Sequence, residues 1–181
     1  MTGALPPVFG VTGWKNSGKT TMVERLVREL TARGHKVSTV KHAHHGCDVD
    51  HPGTDSLRHR EAGANEVALV SGRRWALMHE LREESEPPLG EILARLSPCD
   101  LVLIEGYKRE GHPKLEVRRQ DAVRGEPLAP RDPQIRAIAS DCTEDGGGLP
   151  LFNLDDIPAI ADFILHHCGL ADPGDLRHDR R

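Results

Sequence analysis

The 181-residue sequence is poor in aromatic side chains and in long apolar runs. Aromatic residues make up only 3% of the chain, which argues against the stacking platforms that bind single-stranded nucleic acids. The longest aliphatic stretches, VALV (67–70) and LVLI (101–104), are too short to cross a bilayer. The first residues, MTGALPP, show no basic region followed by an apolar core, so they predict no secretory signal.

Paired cysteines and a strong excess of one charge are also missing. The four cysteines, at positions 47, 99, 142 and 168, form no C-x-x-C pair, which predicts a reduced protein without disulfides. The formal net charge is −4, and acidic and basic residues are interspersed, which does not favour a broad nucleic-acid-binding face. We therefore expect a cytoplasmic protein that binds neither nucleic acid nor membrane.

Hydrophobic periodicity predicts strands that alternate with helices. A strand at 8–12, a helix over 20–33 and a strand at 35–42 form a βαβ unit, which implies a parallel sheet. The segment 66–81 has a turn-like SGRR between two apolar arms and predicts a β-hairpin. Further strands are expected at 100–107, 113–119, 134–141 and 150–154, and further helices at 55–64, 89–97 and 157–169. The segment 124–133 is expected to be an exposed loop.

A glycine-rich loop after the first strand carries the strongest motif in the sequence. Residues 13–20, GWKNSGKT, match G-x-x-x-x-G-K-[ST] between a predicted strand and a predicted helix. Gly13 and Gly18 let successive backbone N–H groups point at phosphate oxygens. Lys19 is placed to reach the β- and γ-phosphates, and the Thr20 hydroxyl is placed to ligate Mg²⁺. The motif predicts a nucleoside triphosphate site.

The strand LVLIEGY offers a second ligand for that magnesium. Its Glu105 ends an apolar strand, where a carboxylate of a phosphate-loop protein commonly lies near the metal. Gly106, the next residue, would permit close approach of the backbone to a phosphate.

The polar loop after the second strand allows three interpretations. In the first, Asp50 or Asp55 lies near the γ-phosphate and its Mg²⁺, and the loop changes shape with the nucleotide state. In the second, its histidines and Cys47 bind a transition metal, although their spacing matches no compact zinc pattern. The third is a solvated loop without a special role. No glutamine stands in an obvious water-positioning place, which predicts slow hydrolysis.

The base that the site would prefer is only weakly indicated. A carboxylate can accept both the N1–H and the exocyclic amine of guanine, and adenine lacks that N1–H. The N-K-x-D motif is absent, but Asp141 follows the predicted strand RAIAS, where a base-reading acid would lie. A turn aspartate explains this residue about as well, so guanine is slightly favoured over adenine.

Several segments occur together in an order that resembles one known family. They are VTGWKNSGKTT, KHAHHGCDVDHPGTDS with REAGA, RRWALMHEL, and LVLIEGYKRE with PKLEV. In this order they resemble the molybdopterin-guanine dinucleotide biosynthesis protein B (MobB) family over about residues 8 to 168. The phosphate loop alone is generic, whereas K-H-x-H-H…D-x-D-x-P-G-x-D-S and E-G-[FY]-K are more specific.

The resemblance implies an α/β fold of the P-loop NTPase type, with three layers, a mostly parallel sheet and an inserted β-hairpin. It implies one GTP-binding domain, placed at 1–170, that forms a homodimer. The tail at 171–181 lies outside the resemblance and is expected from its own sequence to be disordered. Its partner would be the molybdopterin guanylyltransferase that joins GMP to molybdopterin, and molybdopterin itself is a further candidate ligand.

The resemblance also implies roles for individual residues. By position, those that would contact the phosphates are Gly13, Asn16, Ser17, Gly18, Lys19, Thr20 and Thr21. The candidate for the base, Asp141, rests on its place after the strand RAIAS and not on the resemblance. Mg²⁺ would be held by Thr20, with Glu105 and Asp55 nearby, and Lys19, Asp50 and Asp55 are the catalytic candidates. The family commonly has lysine where this chain has Thr54, and weaker nucleotide binding is expected if that lysine contacts phosphate.

Four functions compete at this point. The leading one is a GTP-binding accessory protein with slow Mg²⁺-assisted hydrolysis, in which Arg73 or Arg74 of the hairpin would reach a dimer partner's nucleotide. A small-molecule kinase would need an arginine-bearing lid, for which segment 118–131 is the candidate. A metal-delivery GTPase would use the histidine-rich loop, and a binding scaffold would use nucleotide only to set its conformation.

Overall fold

Six strands form a parallel sheet in a computed structural model of the chain, which describes residues 5–43, 50–122, 125–142 and 146–171. Within these residues the strand order is β2-β5-β1-β6-β7-β8, and every neighbouring pair is parallel. The elements are β1 (Val8–Thr12), α1 (Lys19–Ala32), β2 (Val37–Lys41), α2 (Asp55–Glu61), β3 (Glu66–Val70), β4 (Trp75–His79), α3 (Leu89–Arg95), β5 (Leu101–Glu105), β6 (Lys114–Arg118), β7 (Ile135–Ser140), β8 (Leu151–Asn153) and α4 (Ile157–His167).

The chain divides into two compact units, 1–42 with 95–181, and 43–94. The first unit contains the six-stranded sheet with α1 and α4. The second contains α2 and the antiparallel hairpin β3–β4, so the predicted insertion between two strands of the sheet is confirmed. The α/β fold with its parallel sheet is also confirmed. The expected tail lies outside the described residues, except for position 171.

One face of the sheet packs against α1 and α4. The apolar stripe of α1 is buried because Leu26 and Leu30 pack with Phe9 and Leu103 of the sheet. The centre of α4 reaches the same core through Ile160 and Ile164. This packing fixes the start of α1 at the carboxyl ends of the strands, since α1 follows β1 after a short loop.

The opposite face at β6 is charged and buried. Side chains alternate along a strand, so Lys114 and Glu116 lie on the face away from the apolar core that contains Leu115 and Val117. Glu116 is 1% exposed and accepts hydrogen bonds from the N–H groups of Leu128 (2.8 Å) and Ala129 (2.9 Å). The segment 124–133 was expected to be an exposed loop. Its described part, 125–133, is a loop with mostly exposed residues, and its centre is attached to the sheet because it satisfies this buried carboxylate.

The second unit is organised around a buried ion pair. Asp50 Oδ1 accepts from Ser56 Oγ at 2.6 Å, and Asp50 Oδ2 lies 3.0 Å from an Arg60 nitrogen. Arg60 also donates to Glu80 at 2.5 Å, which joins the helix to the hairpin strand β4. Thr54 is the N-cap of α2, since its hydroxyl accepts from Leu57 N. Position 54 therefore has a structural role here as a threonine.

Candidate nucleotide-binding site

The phosphate loop has the backbone that its glycines predict. Gly18 adopts φ 90° and Asn16 φ 63°, so the chain curls at two left-handed positions before α1 begins. A Cβ at Gly13 would lie 2.5 Å from the Val117 carbonyl oxygen, and the loop therefore needs glycine there. The first backbone bond of the helix ladder runs from Met22 N–H to Gly18 O, which leaves the earlier amides of the helix without intrahelical partners.

The end of α1 is open to an anion. Gly18 is the N-cap residue, and among the described residues no side chain caps it. The positive end of the helix dipole and the free amides therefore face the loop interior. Ser17 is 1% exposed, and its hydroxyl finds no hydrogen-bond partner in the described parts of the chain. An unpaired buried hydroxyl is costly, and a bound ligand with polar atoms would relieve that cost.

The charges of two further lysines and of Glu105 act on Lys19 at this loop. Lys19 Nζ donates to the Trp14 carbonyl at 2.6 Å, and Lys41 Nζ lies 3.4 Å from Glu105 Oε1. Burial is the largest cause that lowers the pKa of Lys19, the charge of Lys108 lowers it next, and Glu105 opposes both. Because three positive charges share one negative charge, the loop carries an electrostatic surplus that suits a phosphate group.

Thr20 and Glu105 meet as the magnesium hypothesis requires. The Thr20 hydroxyl donates to Glu105 Oε1 at 2.8 Å, although 85 positions separate them in sequence. The side chain of Glu105 is 12% exposed. Gly106 follows with φ 97°, and a Cβ there would press on His42 at 3.1 Å. A hydroxyl and a carboxylate oxygen this close are a donor set that Mg²⁺ prefers, so the residues present fit the metal.

The other predicted residues lie in different surroundings. Thr21 is exposed in the first turn of α1. Asp141 follows β7, where its Oδ1 accepts from Gln120 N at 2.8 Å and its Oδ2 lies 3.9 Å from Arg119 Nε. Asp50 and Asp55 belong to the second unit: the side chain of Asp50 is 5% exposed in its ion pair, and that of Asp55 is 90% exposed. Their catalytic and metal-binding roles stay predictions.

The structure describes parts of the candidate kinase lid and of the histidine-rich loop. Of the proposed lid arginines, Arg118 pairs with Glu116 at 2.9 Å and Arg131 pairs with Glu126, while position 124 lies outside the described residues. Positions 44–49 of the histidine-rich loop also lie outside them. Within the described ranges, no group of three or more His, Cys, Asp or Glu side chains is placed to hold a metal ion.

Sequence reasoning assigned no role to Trp14 or Lys108 at this site, and it considered Arg119 only as part of the candidate lid of a kinase. Trp14 donates its indole N–H to the Glu126 carbonyl at 2.9 Å, and Lys108 lies 4.9 Å from the centre of the Trp14 ring. Arg119 lies beside Gly18, with its guanidinium carbon 3.7 Å from a Cβ built there. Arg119 directly follows strand β6, and Lys108 comes three residues after β5. Because ligands of open α/β sheets bind at the carboxyl ends of the strands, a basic residue just after a strand is the signal that would have found them.

Most of the chain is similar to proteins of one known family. The family described as "Molybdopterin guanine dinucleotide synthesis protein B" (MobB) matches residues 8–141. The chain belongs to the MobB family. A curated MobB relative, the molybdopterin-guanine dinucleotide biosynthesis adapter protein of Haemophilus influenzae, is 41% identical over 167 residues, which is 89% of this chain and 90% of the relative. The adapter protein of Escherichia coli is 36% identical over 161 residues, which is 88% of this chain and 91% of the relative.

Solved MobB structures have the same fold. A crystal structure of molybdopterin-guanine biosynthesis protein B has a TM-score of 0.69 at 29% identity and covers 88% of this chain and 99% of its own. The crystal structure of Bacillus subtilis MobB also has a TM-score of 0.69, at 27% identity. The match covers 88% of this chain and 96% of that structure's chain. Within the residues that the structure describes, no helix has the length and apolar character needed to span a membrane.

Proposed function

We propose that this chain is a GTP-binding adapter in molybdopterin-guanine dinucleotide biosynthesis, with slow Mg²⁺-dependent GTP hydrolysis. The observation that carries the nucleotide site is the uncapped start of α1, where the Thr20 hydroxyl donates to Glu105 at 2.8 Å and Lys41 lies 3.4 Å from the same carboxylate. The adapter role rests on family membership and on the names of the curated relatives. Its partner in this proposal is the guanylyltransferase that attaches GMP to molybdopterin.

Each residue of the site has a distinct task in this proposal. Lys19 leaves the Trp14 carbonyl and pairs with the phosphates, and the amides at the start of α1 hold the phosphate oxygens. Thr20 and Glu105 are the residues that would hold Mg²⁺, which neutralises charge on the β- and γ-phosphates when it is bound. Asp141 is assigned the N1–H and exocyclic amine of guanine.

Slow turnover is part of this proposal, because no glutamine stands in an obvious water-positioning place in the sequence. Asp50 already accepts hydrogen bonds at both of its oxygens within the second unit, so it is better suited to support its loop than to orient water. Asp55 is the more accessible of the two acids. The conformational response to nucleotide, rather than the rate of hydrolysis, is therefore the proposed output.

The proposal includes a homodimer. The hairpin β3–β4 carries apolar side chains that are exposed in the single chain, with Val70 at 80% and Trp75 at 69%. These two residues are cross-strand partners next to the turn that contains Arg73 and Arg74. Multi-angle light scattering of the chain and of Trp75→Glu tests this: a dimer that the variant converts to monomer supports it, and a wild-type monomer at high concentration contradicts it.

Calorimetry tests the nucleotide proposal. We expect the protein to bind GTP and GDP in Mg²⁺ more tightly than ATP, and Lys19→Ala to lose at least about tenfold in GTP affinity because a charged hydrogen bond to phosphate disappears. Lys36→Ala, which removes an exposed lysine from the start of the β2 region, is the matched control and should bind as the wild type does. Absence of measurable GTP binding by the wild type would refute the proposal.

Release of phosphate from GTP provides a second readout. Slow release that needs Mg²⁺ and is lost in Lys19→Ala supports the GTPase proposal. Transfer of the γ-phosphate to an added small-molecule acceptor, instead of to water, would favour the kinase.

A further inference from the structure

The phosphate loop and the candidate base-reading residue are joined by one side chain, Arg119. The guanidinium carbon, Nε and one terminal nitrogen of Arg119 each lie 3.7 Å from a Cβ built on Gly18. On its other side, Arg119 Nε lies 3.9 Å from Asp141 Oδ2. Arg119 therefore lies between the N-terminal end of α1, where phosphates would bind, and the residue assigned to guanine.

The chain fixes this position through its backbone. Arg119 is the first residue after β6, and β6 pairs with β1 and β7, the strands that lead to the phosphate loop and to Asp141. The next amide, Gln120 N–H, donates to Asp141 Oδ1 at 2.8 Å. The Gln120 N–H thus holds one oxygen of Asp141 by a hydrogen bond, and the positive charge of Arg119 attracts the other oxygen.

The guanidinium of Arg119 is available for a ligand. Even a Cβ added to Gly18 would only reach van der Waals distance from it, and its distance to Asp141 is longer than a hydrogen bond. Its side chain is 46% exposed and that of Asp141 is 38% exposed, so a bound molecule reaches both. The neighbouring Arg118 differs, because it is 15% exposed and pairs with buried Glu116.

We infer that Arg119 is a nucleotide-contacting residue that couples phosphate recognition to base recognition. This inference rests on the proposed function and adds a residue to it. The planar guanidinium offers several N–H donors toward an anion and a flat face toward an aromatic base, and it also holds Asp141 in the orientation that accepts the guanine N–H groups. A nucleoside triphosphate or diphosphate with guanine as its base is the ligand that uses all three properties.

The experiment compares GTP with inosine triphosphate, which lacks the exocyclic amine of guanine. Calorimetry in Mg²⁺ is performed on the full chain and on Arg119→Ala, Arg119→Lys and Asp141→Asn. We expect Arg119→Ala to lose about tenfold in GTP affinity and to lose much of the preference for GTP over the inosine nucleotide. Arg119→Lys should recover part of the affinity, since the charge returns, but not the preference, since the planar fork is missing.

The controls distinguish a failure of the proposed function from a failure of the inference about Arg119. Arg136→Ala removes an exposed arginine from β7 and should bind both nucleotides as the wild type does. Circular dichroism and thermal melting verify that each variant is folded. If the wild type binds no GTP, the proposed function fails. If the wild type binds GTP and Arg119→Ala keeps both its affinity and its preference within about twofold, only the inference about Arg119 is overturned.

Discussion

The carboxylate of Glu105 should affect nucleotide binding with opposite signs in the presence and absence of magnesium. Glu105 accepts from the Thr20 hydroxyl at 2.8 Å and lies 3.4 Å from Lys41 Nζ. In the proposed site, Glu105 would be one of the residues that hold Mg²⁺. Without Mg²⁺ it is a negative charge close to the phosphates, and it also neutralises a lysine that would otherwise attract them.

The size of the effect can be bounded from these contacts. At an effective dielectric constant of about 20, unit charges 3.4 Å apart interact by about 5 kcal/mol, but Lys41 is 59% exposed and solvent reduces the net contribution to about 1 kcal/mol or less. Glu105→Gln should therefore fold, since its amide oxygen still accepts from Thr20. Loss of a charged ligand costs about 1.5–3 kcal/mol, or roughly ten- to hundredfold in Mg²⁺-dependent affinity.

The assay is calorimetry of GTP binding to wild type and Glu105→Gln, in Mg²⁺ and in EDTA. We expect the variant to bind more weakly than the wild type in Mg²⁺, and equally well or more tightly in EDTA. Glu110→Gln removes an exposed carboxylate from the same loop and should follow the wild type in both buffers. If Glu105→Gln weakens binding equally in both buffers, Glu105 has no special relation to the metal and the reasoning is refuted.

Two further predictions concern stability, and one concerns the packing of Trp14. Glu116→Gln should lower the free energy of unfolding by about 2–4 kcal/mol, because a buried carboxylate with three donors loses its charge-assisted bonds. Denaturant titration measures this, and a change below about 0.5 kcal/mol would contradict it. In a Trp75→Phe background, where Trp14 is the remaining tryptophan, Gly125→Ala should increase acrylamide quenching of Trp14 because the new methyl would overlap the Trp14 ring. The control Gly111→Ala, with open space around its Cβ, should leave that quenching unchanged. Burial and the Lys114 charge lower the pKa of His112 to about 4. The unfolded chain therefore binds more protons than the folded chain between about pH 4 and 6.5, and the free energy of unfolding should fall as pH falls through that window. After allowance for the partly exposed ring, the loss is under about 1 kcal/mol per pH unit, and a His112→Gln variant with the same pH slope would contradict the assignment.

The parts of the fold and site that follow from local patterns were predictable. The loop from Gly13 to Thr20 sets its own backbone geometry through its glycines, and the apolar run 101–104 identifies the strand that brings Glu105 to the same sheet edge. The hairpin was predictable for the same reason, because two apolar arms flank a turn of four residues.

Features that depend on distant contacts were not predictable. The alternation in KLEVR (114–118) is typical of a strand with one solvated face, but Lys114 and Glu116 are each 1% exposed. They are buried because the segment 125–133 folds back over them, and nothing in its proline- and arginine-containing sequence indicates that position. Arg119 lies beside Gly18 only because β6 and β1 are neighbours in the sheet, which the order of elements in sequence does not state.

A crystal structure with Mn²⁺ in place of Mg²⁺ and a non-hydrolysable GTP analogue is the most direct measurement of the central claim. Anomalous scattering locates the metal independently of the nucleotide. The account predicts a manganese peak in contact with the Thr20 hydroxyl and Glu105, phosphates on the amides at the start of α1, and Lys19 moved from the Trp14 carbonyl to a phosphate oxygen. An analogue bound elsewhere, with Lys19 still on Trp14 and no metal at Thr20, would contradict it.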